Sequence, residues 1–396
     1  MTKHCEGSCP ATASRSSESQ PGNGDRGLGV RSLRSVGATS AGVESNGLRG
    51  FCALGSAPVT LQPLPGVIRE IARRYDLGGD VQRWDTLNGS QTQNLRLEVD
   101  DRLWVARVHP SSTSADRLVA VQAARQAARN SGLNTPAPIL ARDGSSMINQ
   151  PGGELAEVEP FVVWNQRMNT QALLRRGFAV MGTLHDALRT TQLPVAAAQA
   201  PHANHLHAAE AAARTRAGAD RVRSWHDRDL SRFADQVEEH VDAVATAEAR
   251  LAAGQVWQIV HGDFWDNNVL FRQDEFVAVI DFDFMGRRAR IDDLALPIYF
   301  WLLQPGRGLP DEHDQEFIAE LVDAYDTGTT EPLSANERRA LPLAVARQPA
   351  WSVGRWIPYL DEENSPRHAR EAMSEFAVAA KVLSQIENWQ TRLSHS

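Results

Sequence analysis

The body of this 396-residue chain contains no cysteine; Cys5, Cys9 and Cys52 all lie near its start. A disulfide framework is thereby excluded for the body, and a reducing cytoplasm is the simplest compartment. Cys5 and Cys9 lack a convincing second ligand pair, which argues against a zinc site. Long apolar runs are equally scarce. The longest, around residues 294–303, is interrupted by Pro297 and falls far short of the ~20 residues that a bilayer span needs. The first residues are polar, so no secretory signal is visible, and the reading predicts a soluble protein with no membrane partner. An excess of positive charge is also missing. The formal net charge is -8, and beyond residue 55 there are 35 Lys+Arg against 45 Asp+Glu, a net of -10. An acidic body argues against a general nucleic-acid binder and suits a cationic partner.

What is present is an ordinary globular composition: 42% hydrophobic and 23% charged residues, enough for a sizeable core and roughly two or three domains or lobes. Residues 1–57 are rich in Ser, Gly, Thr, Asn and Arg with little apolar periodicity. Such a segment buries too little surface to offset its ordering entropy, which predicts a disordered tail. From Leu64 onward Val67, Ile68, Ile71, Ala72 and Tyr75 repeat at helical spacing. Short strands follow at residues 95–99 and 103–108 around an Asp100-Asp101 turn. A helix over Ala115–Asn130 has Ser114 as its cap, and further strands are expected at 139–142 and 157–164. Beyond Trp164 the pattern is mainly helical, broken by a β-rich insert over residues 257–284. The organisation predicted is a tail (1–57), a sheet lobe (58–164) and a helical lobe (165–396), an α+β chain without internal repeats.

The insert carries the most informative residues. His261-Gly262-Asp263-Phe264-Trp265-Asp266-Asn267-Asn268 leads into Val269-Leu270-Phe271, and Val279-Ile280-Asp281-Phe282-Asp283 lies just beyond. Each segment joins an apolar strand to a polar loop, so Asp263, Asn268 and Asp281 can converge at one end of a hairpin. Phosphoryl transfer needs metal to neutralise phosphates and a carboxylate to align the attacking hydroxyl. Mg²⁺ takes oxygen ligands, which one carboxylate and one amide carbonyl can share with phosphates and water.

His-Gly-Asp-x-x-x-x-Asn followed by Ile-Asp-Phe-Asp resembles the aminoglycoside phosphotransferase superfamily, which includes choline kinases, homoserine kinases of the second type and fructosamine kinases. The resemblance implies a two-lobed protein-kinase-like fold: a small antiparallel sheet lobe with one helix, then a larger helical lobe. It implies that Asp263 is the catalytic base, that Asn268 and Asp281 bind Mg²⁺, and that His261 and Asp283 support them. Asp293, in Asp293-Leu294-Ala295, would anchor the catalytic loop. The alternative is that these are only hairpin turn residues. More loosely, Gly89 lies where the superfamily places its nucleotide-covering loop. Arg107 stands where kinases carry a phosphate-gripping Lys, its alternative being a solvent-facing strand arginine. The stretch from Glu159 through Val162 to Trp164 resembles the linker whose backbone binds adenine. The implied donor is ATP, with GTP as the other possibility.

One departure stands out. The kinase Lys pairs with a Glu on the next helix, yet residues 115–142 contain no Glu; Gln122 is the nearest stand-in. That gap keeps a regulatory nucleotide-binding pseudokinase as the second reading. Phosphorylation of a protein side chain ranks lower, since no Ala-Pro-Glu follows Asp281. His202, His205 and His207 lack a nearby acid or Cys that would make them a metal site. His185, Trp351, Trp356 and Tyr359 fit core packing better than binding. Residues 310–331 and Asp361-Glu362-Glu363 are acidic, which would attract an amine-bearing small-molecule substrate or form a solvated face.

Overall fold

The computed structural model of the chain describes residues 64–87, 92–199 and 206–394. The expected tail over residues 1–57, the three cysteines, Gly89, His202 and His205 lie outside them.

In chain order the elements are α1 (Leu64–Arg74), β1 (Arg83–Leu87), β2 (Gln93–Val99), β3 (Arg102–His109), α2 (Ala115–Asn130), β4 (Ile148–Asn149), β5 (Leu155–Pro160), β6 (Gln166–Arg167) and α3 (Gln171–Thr190). There follow α4 (Ala208–Ser224), α5 (Arg228–Ala249), β7 (Trp257–Val260), β8 (Val269–Arg272), β9 (Glu275–Val279) and β10 (Gly286–Ala289). Five helices complete the chain: α6 (Arg290–Leu302), α7 (Glu312–Gly328), α8 (Ala335–Arg347), α9 (Asn364–Ser384) and α10 (Ile386–Ser394).

The first sheet is antiparallel with order β1-β2-β3-β5-β4. β2 and β3 turn at Asp100 and Asp101, whose φ values of 46° and 62° belong to the tight turns that match strand twist and favour Asp. Alternation puts Leu95, Leu97 and Val99 on one face, where they pack with Val67, Ile68 and Ile71 of α1. α2 starts at Ser114, whose hydroxyl accepts the Arg117 N–H at 3.2 Å, and its Leu118, Val121 and Ala124 join the main core with α3 instead.

Residues 139–142 are not a strand. Pro136 and Pro138 precede them and cannot donate to a ladder; Ile139 N donates to the Val158 carbonyl (2.8 Å), Ala141 N to the Ser145 carbonyl (2.8 Å), and an isolated bridge joins Tyr75 and Ala141. β4 forms the sheet edge instead, and β5 stops at Pro160 rather than running to Trp164.

α3 and α7 cross closely because Gly182 and Gly328 have no side chains; a Cβ on either would strike the partner helix's backbone. α4, α5 and α9 share a separate core that includes Val222, Phe233, Val237 and Phe376. There are two small sheets, β6-β8-β9 and β7-β10; apart from β6, their strands lie between α5 and α6 in chain order. Among the described residues no helix is long and apolar enough to cross a membrane.

Candidate active site

The β8–β9 hairpin turns at Gln273-Asp274, and at its other end Ile280 N donates to the Asn268 carbonyl at 2.9 Å. Asn268 and the residue before Asp281 are thus bonded neighbours. Asp281 has φ 62° and ψ 68°, a left-handed conformation that costs energy outside glycine and concentrates at functional sites. Gly262 has φ 79°, and a Cβ there would run into the Phe284 carbonyl and the Arg288 guanidinium. Glycine lets the loop pass that close.

Buried Asp293, in the first turn of α6, accepts the backbone N–H groups of His261 (2.8 Å) and Gly262 (2.7 Å). It also meets His185 Nε2 at 3.1 Å. Burial opposes its charge, but the hydrogen bond with His185 and the nearby Arg288 guanidinium prevail and hold the carboxyl below its ordinary range. His261 accepts the Asp263 N–H at Nδ1 (3.2 Å) and donates from Nε2 to the Ile280 carbonyl (3.0 Å). Those partners fix a neutral ring, and its burial lowers its pKa. The imidazole therefore links the loop of Asp263 to the strand end that carries Asp281.

Asn268 Nδ2 donates to both the carbonyl (2.9 Å) and Oδ2 (2.8 Å) of Asp263. This orients the Asp263 carboxylate and turns Asn268 Oδ1 the other way. Asp281 receives Arg107 on Oδ1 (2.9 Å), and Oδ2 is its other carboxylate oxygen. Among the described residues no group of three or more His, Cys, Asp or Glu is arranged to hold a metal. Asn268 Oδ1 with Asp281 Oδ2 is a hard-oxygen pair of the kind Mg²⁺ uses when phosphates and water complete its shell, so the residues present fit that ion.

The sheet side of the cleft is a buried ion network. Lys3 and Lys381 are the chain's two lysines, so the cation on β3 is an arginine. Arg107 is 5% exposed, and its Nη2 donates to Asp281 and to Asp283 Oδ2 (2.8 Å). Thr92 Oγ1 donates to the same Asp283 oxygen at 2.6 Å. Burial works against an Asp283 charge, yet Arg107, His109 and Thr92 bring its pKa down to about 2.

The Glu that helix α2 lacks has a counterpart on a strand. Glu157 on β5 lies 3.9 Å from Arg107 Nε. It is held by Arg125 of α2 (2.6 and 2.7 Å) and by Gln122 Nε2 (2.8 Å). Gln122 thus spends its amide on Glu157 and, through Oε1, on Ser146. The usual polarity is inverted: α2 brings the cation and β5 the carboxylates. Glu159 sits opposite Val105 in the ladder, with its carboxylate on Arg125 at 2.5 Å. Val162 is half-buried in the connector after β5.

Sequence reasoning missed Glu157, Arg125, Thr92 and Arg117. The last, buried on α2, donates to the carbonyls of Asp283 (3.0 Å) and Met285 (2.6 Å) and so ties the sheet lobe's helix to the Asp281 turn. A signal existed: Glu157 and Glu159 are two apart and share one face of a strand, which calls for cations, and α2 carries Arg117, Arg125 and Arg129. Elsewhere, His207 stacks on Trp257 (4.7 Å) and Trp351 packs edge-on against Trp356 (5.0 Å). Tyr359 is exposed. Much of the acidic 310–331 stretch is spent on caps and ion pairs: Asp311 caps α7, Asp314 pairs with Arg307, and Asp326 pairs with Arg338.

Comparison with known proteins places the chain in a family and a fold. The homoserine kinase of Bradyrhizobium diazoefficiens is 25% identical over 289 residues, covering 70% of this chain and 79% of that protein. A microcompartment-associated aminopropanol kinase superposes with a TM-score of 0.59 at 17% identity, over 83% of this chain and 98% of its own. An aminoglycoside phosphotransferase from Alicyclobacillus acidocaldarius gives 0.58 at 17% identity, over 86% and 98%. The two structures share the fold, a two-lobed protein-kinase-like α+β architecture. The profile of the phosphotransferase enzyme family matches residues 86–343, a span that takes in the Arg107 network, the Asp263 loop and Asp281 alike, and the chain belongs to that family.

Proposed function

We propose that this protein is a cytoplasmic kinase that transfers the γ-phosphoryl group of Mg–ATP to a hydroxyl of an amine-bearing small molecule, of the aminoglycoside, amino alcohol or hydroxy amino acid class. The observation that carries the reading is the fixing of Asp263: Asn268 binds its carboxylate and carbonyl, His261 its N–H, and Asp293 the loop before it. A carboxylate held in this way orients an acceptor hydroxyl for in-line attack and takes its proton. Arg107 faces the Asp281 side of the same cleft, where a guanidinium grips phosphate oxygens bidentately. Asn268 and Asp281 would hold Mg²⁺, which when bound neutralises phosphate charge. A body without cysteine supports the cytoplasm as the compartment.

The motive for a pseudokinase was the missing helix Glu, and Glu157 provides a carboxylate beside Arg107 from β5. Release of ADP from Mg–ATP, measured with homoserine, aminopropanol, choline and aminoglycosides in turn, tests the proposal. Acceptor-dependent ADP release with at least one of them is expected. Nucleotide binding with no acceptor-dependent release across hydroxyl compounds would return the pseudokinase to first place.

A further inference from the structure

Beside the loop that carries Asp263 lies a small pocket of about 20 Å³, room for one water-sized or ammonium-sized group, that opens to solvent. The loop contributes Trp265 and Asp266 to its wall, and α6 contributes Pro297, Phe300 and Trp301, with Gln304 just past its end and Met168 and Leu174 completing the lining. Both sources are tied to the chemistry, because α6 is the helix whose Asp293 anchors the loop. The Trp265 and Phe300 rings lie 4.6 Å apart with a 34° tilt. Trp301 is braced by the Arg307 guanidinium, 4.5 Å from its ring. Aromatic faces of this kind attract cations.

Asp266 gives the pocket its charge. Its Oδ1 is buried and, among the described residues, has no hydrogen-bond partner. Burial raises the carboxyl's pKa to about 6, against Arg167 of β6 acting through space and one backbone hydrogen bond from Asn267. A buried carboxylate oxygen without a donor is costly, and a small cationic group with N–H donors removes that cost. Three chain steps separate Asp266 from Asp263, so their Cα atoms lie within about 11 Å even if the chain were extended. A molecule that touches both carboxylates is therefore short.

We infer that this pocket is the acceptor's ammonium site: Asp266, with the ring wall of Trp265 and Phe300, takes the protonated amine of a short amino alcohol or hydroxy amino acid and leaves its hydroxyl toward Asp263. This rests on the phosphotransfer reading and adds to it which residues choose the acceptor. Asp266 is a specificity residue; it does not take the hydroxyl proton.

The test compares kcat/KM for aminopropanol with that for propanediol, which keeps the hydroxyl and lacks the charge. The wild type is expected to favour aminopropanol by at least about tenfold, the scale of one charged hydrogen bond. In Asp266→Asn the ratio should fall below about threefold, chiefly through KM for aminopropanol. Propylamine, an ammonium with no hydroxyl, should compete with aminopropanol in the wild type, a readout that holds even if the variant fails to fold. Equal use of the two acceptors by the wild type, an unchanged ratio in a folded Asp266→Asn, or no competition by propylamine would overturn the ammonium site while leaving phosphotransfer intact. If no hydroxyl compound stimulates ADP release, both readings fail together.

Discussion

Arg107 lies between two sets of carboxylates, Asp281 and Asp283 across the cleft and Glu157 on the neighbouring strand. It is almost wholly buried, and those acids hold its pKa well above the ordinary value against that burial. Glu157 is equally buried; Arg125 and His109 outweigh its desolvation and keep it ionised. Replacing Glu157 with Gln strands Arg125 among too few countercharges, and breaking a buried pair from one side costs about 3–5 kcal/mol. Denaturant unfolding of Glu157→Gln should show a loss on that scale. The Glu157→Gln/Arg125→Gln double variant should lose less than the sum of the two single changes. Purely additive losses would mean that the two side chains are not coupled. Arg107, Asp281 and Asp283 were legible along the chain as single residues, but their pairing with Glu157 and Arg125 was not, because Arg125 and Glu157 lie on different elements 32 residues apart.

The elements themselves were legible where local chemistry alone decides them. Ser114 before an apolar-periodic run marked the start of α2, and paired aspartates marked the β2–β3 turn. The expected strand at 139–142 failed because its backbone hydrogen bonds are set by neighbours, β5 and the end of α1, and not by its apolar residues. The Asp263 loop was readable as a spacing, whereas the way it is held was not, since Arg288 and Phe284 approach Gly262 only in three dimensions. At this scale Gly262→Ala is expected to lower acceptor-dependent turnover by more than tenfold, because a side chain at φ 79° is strained and meets backbone as well. Circular dichroism should show the helices retained. Turnover equal to that of the wild type would mean that the loop tolerates displacement. Ser114→Ala should cost about 1 kcal/mol of stability through the lost cap, measured by denaturant midpoint.

Across the molecule, the two lobes meet through polar contacts at the site and through packing at the helices. Arg107, Thr92 and Arg117 reach from the sheet lobe and α2 to the turn of residues 281–285. Far from that site, Glu375 of α9 is buried against Tyr299 and Ser352, which donate to its Oε2. Burial, only partly offset by those donors, raises its carboxyl from an ordinary 4.5 to about 7. A raised acid favours the folded state while it stays protonated. Its contribution is complete below pH 4.5 and is lost as pH climbs through about 7. The size is about 3 kcal/mol for a shift of this order. Melting temperature should therefore fall across that window in the wild type and flatten there in Glu375→Gln. Parallel pH profiles for the two proteins would show that Glu375 is already ionised when folded.

The whole account turns on Asp263 acting on the acceptor hydroxyl and not on the nucleotide. Asp263→Asn keeps the shape of the side chain and removes its basicity, so acceptor-dependent ADP release and nucleotide affinity can be measured on the same variant. Release is expected to fall by about 10²–10⁴-fold, with the nucleotide Kd held within about threefold. Release at the wild-type rate, or a nucleotide affinity that collapses together with it, would contradict the role assigned to Asp263.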